Sequence, residues 1–286
     1  MLQFLSVQKE LKTMNKFQGI LIVTDIDGTL LKNDKTLSRE NLDAIEYFKA
    51  EGGKFTFVTG RPTVIVKDIY NMVLPNAPLG CFNGGAIYDV RKDEFLWTVE
   101  LDRRALRLVE HVDKVFPEMS IQICCFKNCY FSKMNTSLTN HLINEGFPDL
   151  RKHYSQVDES LAKVLFADEN EENLFKLRDI LQSHPLADEF DFIRSHPEYY
   201  EILPKGVSKG ALTIKLAQLL GIDIKKTIAV GDNDNDASMI KSAGLGISVS
   251  NGSAAAKEAA DLITVSNEEH AMAKIIDDLD KGRIVL

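Results

Sequence analysis

Short apolar runs that close on a glycine or an acid alternate with segments whose apolar positions recur every three or four residues. The first run, Gly19–Thr24, has no polar alternation and reads as a strand buried on both faces of a parallel sheet. Behind it Ser38 is a good helix N-cap, and Leu42, Ile45 and Phe48 follow at helical spacing. Gly52-Gly53 stops that helix. Lys54–Val58 then predicts a second parallel strand, closing on Thr59-Gly60-Arg61-Pro62. A helix over about 63–73 and a short strand, Leu79–Phe82, complete this stretch and end at Asn83-Gly84-Gly85.

The rhythm then changes. Ala86–Val90 and Phe95–Leu101 form a hairpin pattern about Lys92-Asp93. A helix near 103–116 follows, then strands near 119–126 and 129–133, a helix over 136–145, a strand over 162–167, a helix over 171–183 and a strand over 189–194. The strand Tyr199–Leu203 leads back to the first kind of pattern. From Pro204 the strand–helix alternation resumes. A helix capped by Ser208 runs to Leu220, and the strand Thr227–Val230 ends at Gly231-Asp232-Asn233-Asp234-Asn235-Asp236. Helices over 236–243, 253–260 and 267–281 alternate with strands Leu245–Val249 and Leu262–Val265. The prediction is an α/β protein with a doubly wound, mostly parallel Rossmann-like sheet and an inserted α+β domain. The core would be 14–84 with 204–286, the insert 85–203, and 1–13 a peripheral extension, with Met14 an alternative start.

Composition narrows the function classes. A net charge of −8 over 286 residues argues against general binding to nucleic acid or to anionic membranes. No apolar stretch reaches spanning length, and the N-terminus lacks the basic start and long apolar core of a secretory signal. Cys81, Cys124, Cys125 and Cys129 lack paired metal-ligand spacing and read as buried free thiols, which fits a reducing, cytoplasmic compartment. A monomer and a dimer are both compatible with the sequence.

Four loops carry the chemistry. Asp25-x-Asp27, Thr59-Gly60-Arg61, Ser208-Lys209 and Asp232 to Asp236 each follow a strand or begin a helix of the α/β part, so they should converge at one edge of the sheet. Gly28 lets the chain turn sharply after the paired acids. Crowded carboxylates repel and raise one another's pKa values. A hard divalent cation such as Mg2+ relieves that conflict.

In these segments the chain resembles the haloacid-dehalogenase-like hydrolase superfamily and, within it, the Cof-type sugar-phosphatase-like group. Asp25-Ile26-Asp27-Gly28-Thr29 matches the first motif, Thr59-Gly60-Arg61 the second, Lys209 in Pro204-Lys205-Gly206-Val207-Ser208-Lys209-Gly210 the third, and Gly231 to Asp236 the fourth. The resemblance spans about residues 18 to 282 and places the insertion as a cap domain, with hinges near Gly84-Gly85 and Pro204 to Gly206. It implies Asp25 as nucleophile and Asp27 as general acid and base. It implies Mg2+ held by Asp25, Asp232, Asp236 and the Asp27 carbonyl, with Asp236 acting through water or by holding Lys209. Thr59 and the Gly60 amide would bind phosphoryl oxygens, Lys209 and amides at its helix start would offset their charge, and Asn235 would position the phosphate or Lys209. The implied partner is a small phosphorylated metabolite, foremost a sugar phosphate. A phosphotransferase or phosphomutase using the same intermediate, and a non-catalytic binding module, are the alternatives.

Other residues carry less. Arg61 is a candidate for substrate, with a surface ion pair its ordinary alternative. Asn83 is a candidate for substrate or for orienting a loop, with a strained turn its alternative. Six scattered histidines show no ligand spacing. Asp168 to Glu172 reads as a solvated helix start. Tyr199, Tyr200 and Glu201 alternate on a strand, and one face of it is a candidate pocket lining.

Overall fold

The computed structural model describes residues 15–286, so the expected peripheral stretch 1–13 and Met14 lie outside the described residues. The chain divides into two compact units. The first comprises residues up to Thr59, then Tyr70–Gly80 and Lys209–Leu286; the second comprises Gly60–Ile69 and Cys81–Ser208.

The first unit is built on a parallel sheet. Its strands are β1 (Leu21–Thr24), β2 (Lys54–Phe57) and, after a short β3 (Leu79–Cys81), three later strands described below. β1 is wholly buried, as its unbroken apolar run requires. Ser38 caps the helix Arg39–Ala50 by accepting from the Asn41 amide at 3.2 Å. Gly52, at φ +89°, takes the left-handed conformation that turns the chain into β2. Val58 bridges to Gly80 in parallel, which extends the same edge.

The second unit contains strands β4 (Ala86–Asp89) and β5 (Glu94–Thr98), an antiparallel hairpin. It also contains β6 (Ile121–Cys125), β7 (Cys129–Lys133), β8 (Leu161–Ala167), β9 (Phe190–His196) and β10 (Tyr199–Pro204). These five form one antiparallel sheet in the order β7-β6-β8-β10-β9. The helices Ala105–Val115 and Glu171–Gln182 bury Leu108, Val112, Leu174 and Leu177 against Ile121, Ile123, Val164 and Phe166. Asn170 caps the second of these helices, and its acidic first turn is exposed, as its sequence suggests.

The chain re-enters the first unit with the helix Lys209–Leu220 and the strands β11 (Thr227–Gly231), β12 (Leu245–Val249) and β13 (Leu262–Thr264). The strand order is β13-β12-β11-β1-β2, with every neighbour parallel. β1 therefore lies between β2 and β11, and the loops after all three leave from one edge. The helix expected over 267–281 is broken: Asn267–Glu269 is a 3-10 turn and His270 takes a left-handed φ of 62° before the helix Ala271–Asp280.

The division into units differs in detail from the expected boundaries at 84/85 and 203/204. It falls at Gly80/Cys81 and Ser208/Lys209, and Gly60–Ile69 goes with the second unit. Local bonds explain this. The Phe82 amide donates to the Arg61 carbonyl at 3.2 Å, and the Thr63 hydroxyl donates to the Phe126 carbonyl at 2.9 Å. A Cβ at Gly84 would lie 2.3 Å from the Ser208 carbonyl oxygen. Among the described residues no helix is long and apolar enough to cross a membrane. All four cysteines are free and buried, with Cys129 Sγ 3.0 Å from Cys124 Sγ.

Truncating the fully buried Ile22 of β1 to alanine removes packing that the sheet cannot refill. A loss of about 2–5 kcal/mol is expected, to be read as a lower midpoint in denaturant melts.

Candidate functional site

β1, β2 and β11 end side by side, and the loops after β1 and β11 bring the acids together. The Asp25 amide donates to the Val230 carbonyl at 2.9 Å, so the ladder between β1 and β11 extends into the Asp loop. Val58 donates to the Thr24 carbonyl at 3.0 Å on the other side. Asp25 and Asp236 are buried and Asp232 is half-buried. Each offers a carboxylate oxygen, and the three oxygens lie within 4.8 Å of one another.

Lys209 stands at the start of its helix with its side chain 2 % exposed. Its Nζ donates to Asp25 Oδ1 at 2.7 Å and to Asp236 Oδ1 at 2.5 Å. Asp236 Oδ2 accepts from the Asp232 and Asn233 amides at 3.0 and 2.9 Å. Asp236 thus pins the turn that presents Asp232. Thr29 donates its hydroxyl to Asp232 Oδ1. Gly28 sits at φ +81°, and a Cβ there would fall 2.6 Å from Asp232 Oδ2. Glycine is required here on two counts, backbone conformation and space.

The charge balance is uneven. Burial, opposed by Lys209 and reinforced by Asp236 and Asp232, pushes the Asp25 carboxyl well above the usual range. Burial and the neighbouring Asp236 push Asp232 up to about 7. Burial lowers the Lys209 ammonium, but Asp236 and Asp25 outweigh it and raise the group overall. One lysine does not neutralise three acids. The donor set is all oxygen and under-compensated, which fits a hard divalent cation such as Mg2+.

Asp27 is half-buried, with Lys35 Nζ 2.6 Å from its Oδ1. Thr59 is buried and its amide donates to the Gly80 carbonyl at 2.9 Å. Asn235 is half-buried in the 3-10 turn Asp234–Asp236. At the start of the Lys209 helix the Gly210 N–H donates to Ser238 Oγ at 3.1 Å.

The remaining candidates belong to the second unit. Arg61 pairs with Glu145 at 2.8 Å, both largely shielded, so its guanidinium has an internal partner. Asn83, buried at φ 55°, donates to Glu201 Oε2 at 3.0 Å. Glu201 also holds Lys163 at 2.8 Å. Sequence reasoning passed over Lys163 altogether. The available signal was a lone charge in each of two otherwise apolar strands, Leu161–Ala167 and Tyr199–Pro204.

The family model for haloacid dehalogenase-like hydrolases matches residues 22–276. The candidate phosphatase YxeH of Bacillus subtilis is 30% identical over 270 residues, covering 91% of this chain and 97% of its own. The 5-amino-6-(5-phospho-D-ribitylamino)uracil phosphatase YitU of the same organism is 28% identical over 265 residues, covering 90% and 96%. A crystal structure of a haloacid dehalogenase-like hydrolase from Bacteroides thetaiotaomicron superposes with a TM-score of 0.81 at 24% identity, covering 91% of this chain and 99% of that one.

Replacing Lys209 with methionine leaves two buried carboxylates without their cation. A loss of about 3–5 kcal/mol is expected at pH 7.5. Asp25 is already held above its unfolded value, so its ionised form weakens the fold at neutral pH and its protonated form does not. The deficit of the variant should shrink as the pH falls toward about 5, measured by urea melts at both pH values without divalent metal.

Proposed function

This chain belongs to the haloacid dehalogenase-like hydrolases, and from that premise we propose that it is a Mg2+-dependent phosphatase that cleaves small phosphomonoesters through an aspartyl-phosphate on Asp25. The carrying observation is the buried Asp25, held by Lys209 beside Asp232 and Asp236 at the ends of adjacent parallel strands.

The residues divide the work. An Asp25 oxygen forms a bond to phosphorus as the ester P–O bond breaks, and the departing alkoxide takes a proton from Asp27. Water then attacks the aspartyl-phosphate, Asp27 takes its proton, and inorganic phosphate leaves with Asp25 restored. Half-burial suits Asp27 to a group that must exchange protons with substrate and water. Lys209 fixes the Asp25 carboxylate, so little motion is needed before attack. The Thr59 hydroxyl, the Gly60 amide and Asn235 would bind phosphoryl oxygens.

Asp25, Asp232 and the Asp27 carbonyl would hold Mg2+. Asp236, whose oxygens already accept from Lys209 and two amides, would contribute through water. When bound, the ion supplies charge neutralisation between an anionic nucleophile and an anionic substrate. YitU is named for a substrate with a phosphorylated ribityl chain. A sugar or polyol phosphate is accordingly the substrate class proposed here.

Phosphate release should be measured from a panel of sugar, polyol, nucleotide and cofactor phosphate esters. Wild type is expected to turn over at least one with Mg2+ and none with chelator. Asp25→Asn should lose about three orders of magnitude or more in kcat. A folded wild type silent on every ester would sink the reading.

Proton competition gives a second test. Asp232 near 7 and the raised Asp25 must both lose protons to hold a cation, so Mg2+ affinity should rise with pH. Calorimetric titration should give tighter binding at about pH 8 than at about pH 6. Equal affinity at both would contradict this account of the site.

A further inference from the structure

The second unit buries a charged pair that the proposed chemistry leaves unused. Lys163 on β8 and Glu201 on β10 are 3 % and 1 % exposed and 2.8 Å apart. Glu201 lies opposite Leu165, which puts Lys163 on the same sheet face one diagonal step away. A buried ion pair adds little net stability, because desolvation offsets the attraction. Stability alone therefore gives no reason for this one.

The contacts of the pair are more informative. Lys163 Nζ donates to the main-chain oxygen of Gly60 at 3.1 Å. Glu201 Oε2 accepts from Asn83 Nδ2 at 3.0 Å, and its other oxygen accepts from the Ser195 hydroxyl. Asn83 lies against Gly60, where an added Cβ would come 2.8 Å from Asn83 Oδ1. Phe82 and Asn83 both take left-handed backbone angles, φ 56° and 55°, which non-glycine residues adopt rarely. The same turn is tied by the Phe82 amide to the Arg61 carbonyl and by Glu145 to the Arg61 guanidinium.

Resting on the phosphatase reading above, we propose that Lys163 and Glu201 are positioning residues for the phosphoryl-binding turn Thr59-Gly60-Arg61. The Gly60 carbonyl and the Arg61 N–H belong to one trans peptide and point in opposite directions. A lysine fixed on that carbonyl fixes the direction of the Arg61 N–H as well. Asn83, held by Glu201, closes the side of Gly60 toward which the turn would otherwise relax. The turn then offers its amides to a phosphoryl group without rearranging, and such pre-set donors are worth most in catalysis. Burial lowers the Lys163 ammonium, but the Glu201 carboxylate outweighs it, so the donor stays charged.

The test pairs Lys163→Met with Glu201→Gln in one variant. Both charges go together, the glutamine oxygen still accepts from Asn83, and the Gly60 carbonyl loses its donor. A milder variant, Lys163→Gln, keeps a donor for Glu201 but stops short of Gly60. The probes are p-nitrophenyl phosphate as substrate and inorganic phosphate as competitive inhibitor. Each folded variant should lose about 10- to 100-fold in kcat and bind inorganic phosphate more weakly. In the double variant, where no buried charge is left without its partner, the melting temperature and the half-saturating Mg2+ concentration should hold, which a purely structural role would not produce. Lys163→Gln is expected to melt earlier, and only its kcat and phosphate inhibition are read. A folded variant with wild-type kcat and wild-type phosphate inhibition overturns the proposal and leaves the phosphatase reading standing. A wild type that releases phosphate from no ester overturns that reading and the proposal with it.

Discussion

The ammonium of Lys209 between Asp25 and Asp236 is the contact on which the first unit's acid cluster depends. Two buried carboxylates so close repel strongly in a low-dielectric interior, and without a cation at least one would take up a proton. Lysine here joins segments 184 residues apart in sequence. Its influence reaches beyond its own two bonds. Asp236, once held, receives the Asp232 and Asn233 amides, and this fixes the turn from which Asp232 projects. The parallel sheet supplies the rest, because β11, β1 and β2 end in register and their loops share one edge.

The Lys209 cluster and the Lys163–Glu201 pair are built differently. Around Lys209 the acids outnumber the base, and Asp25 and Asp232 are held at raised pKa values in consequence. That imbalance is useful only where a further cation completes the set. The Lys163–Glu201 pair is balanced, with its hydrogen-bonding capacity directed at Gly60, Asn83 and Ser195. The first arrangement invites a ligand, while the second is already satisfied and suits a supporting role.

Much of this was legible in the sequence, for physical reasons that differ from residue to residue. The unbroken apolar run before Asp25 reads as a doubly covered strand, as β1 is, and the acids follow at its end. Ser38 and Asn170 are caps because their side chains satisfy amides that the helix leaves open. The partners of Arg61 and Asn83 were not legible. Glu145 and Glu201 lie 84 and 118 residues from them, and only tertiary packing brings them together. The left-handed break at His270 was hidden as well, since helical periodicity runs on through it. Lys163 was missed because an isolated lysine in a strand is ordinarily solvated, and periodicity cannot tell which face a neighbouring strand will cover.

The first unit is assembled from separated stretches of chain, and this sets an order of events on the ribosome. Asp25 leaves the exit tunnel long before Lys209, with the whole of the second unit made in between. At ordinary elongation rates that interval is roughly 10 to 40 s. Throughout it β1 has neither β11 beside it nor a cation for its acid. The second unit, complete by Ser208, can fold as a body while the first still lacks Lys209–Leu286 and three of its five sheet strands. The parallel sheet is thus closed last, and the residue that makes its acids tolerable is also the one that arrives with the final segment.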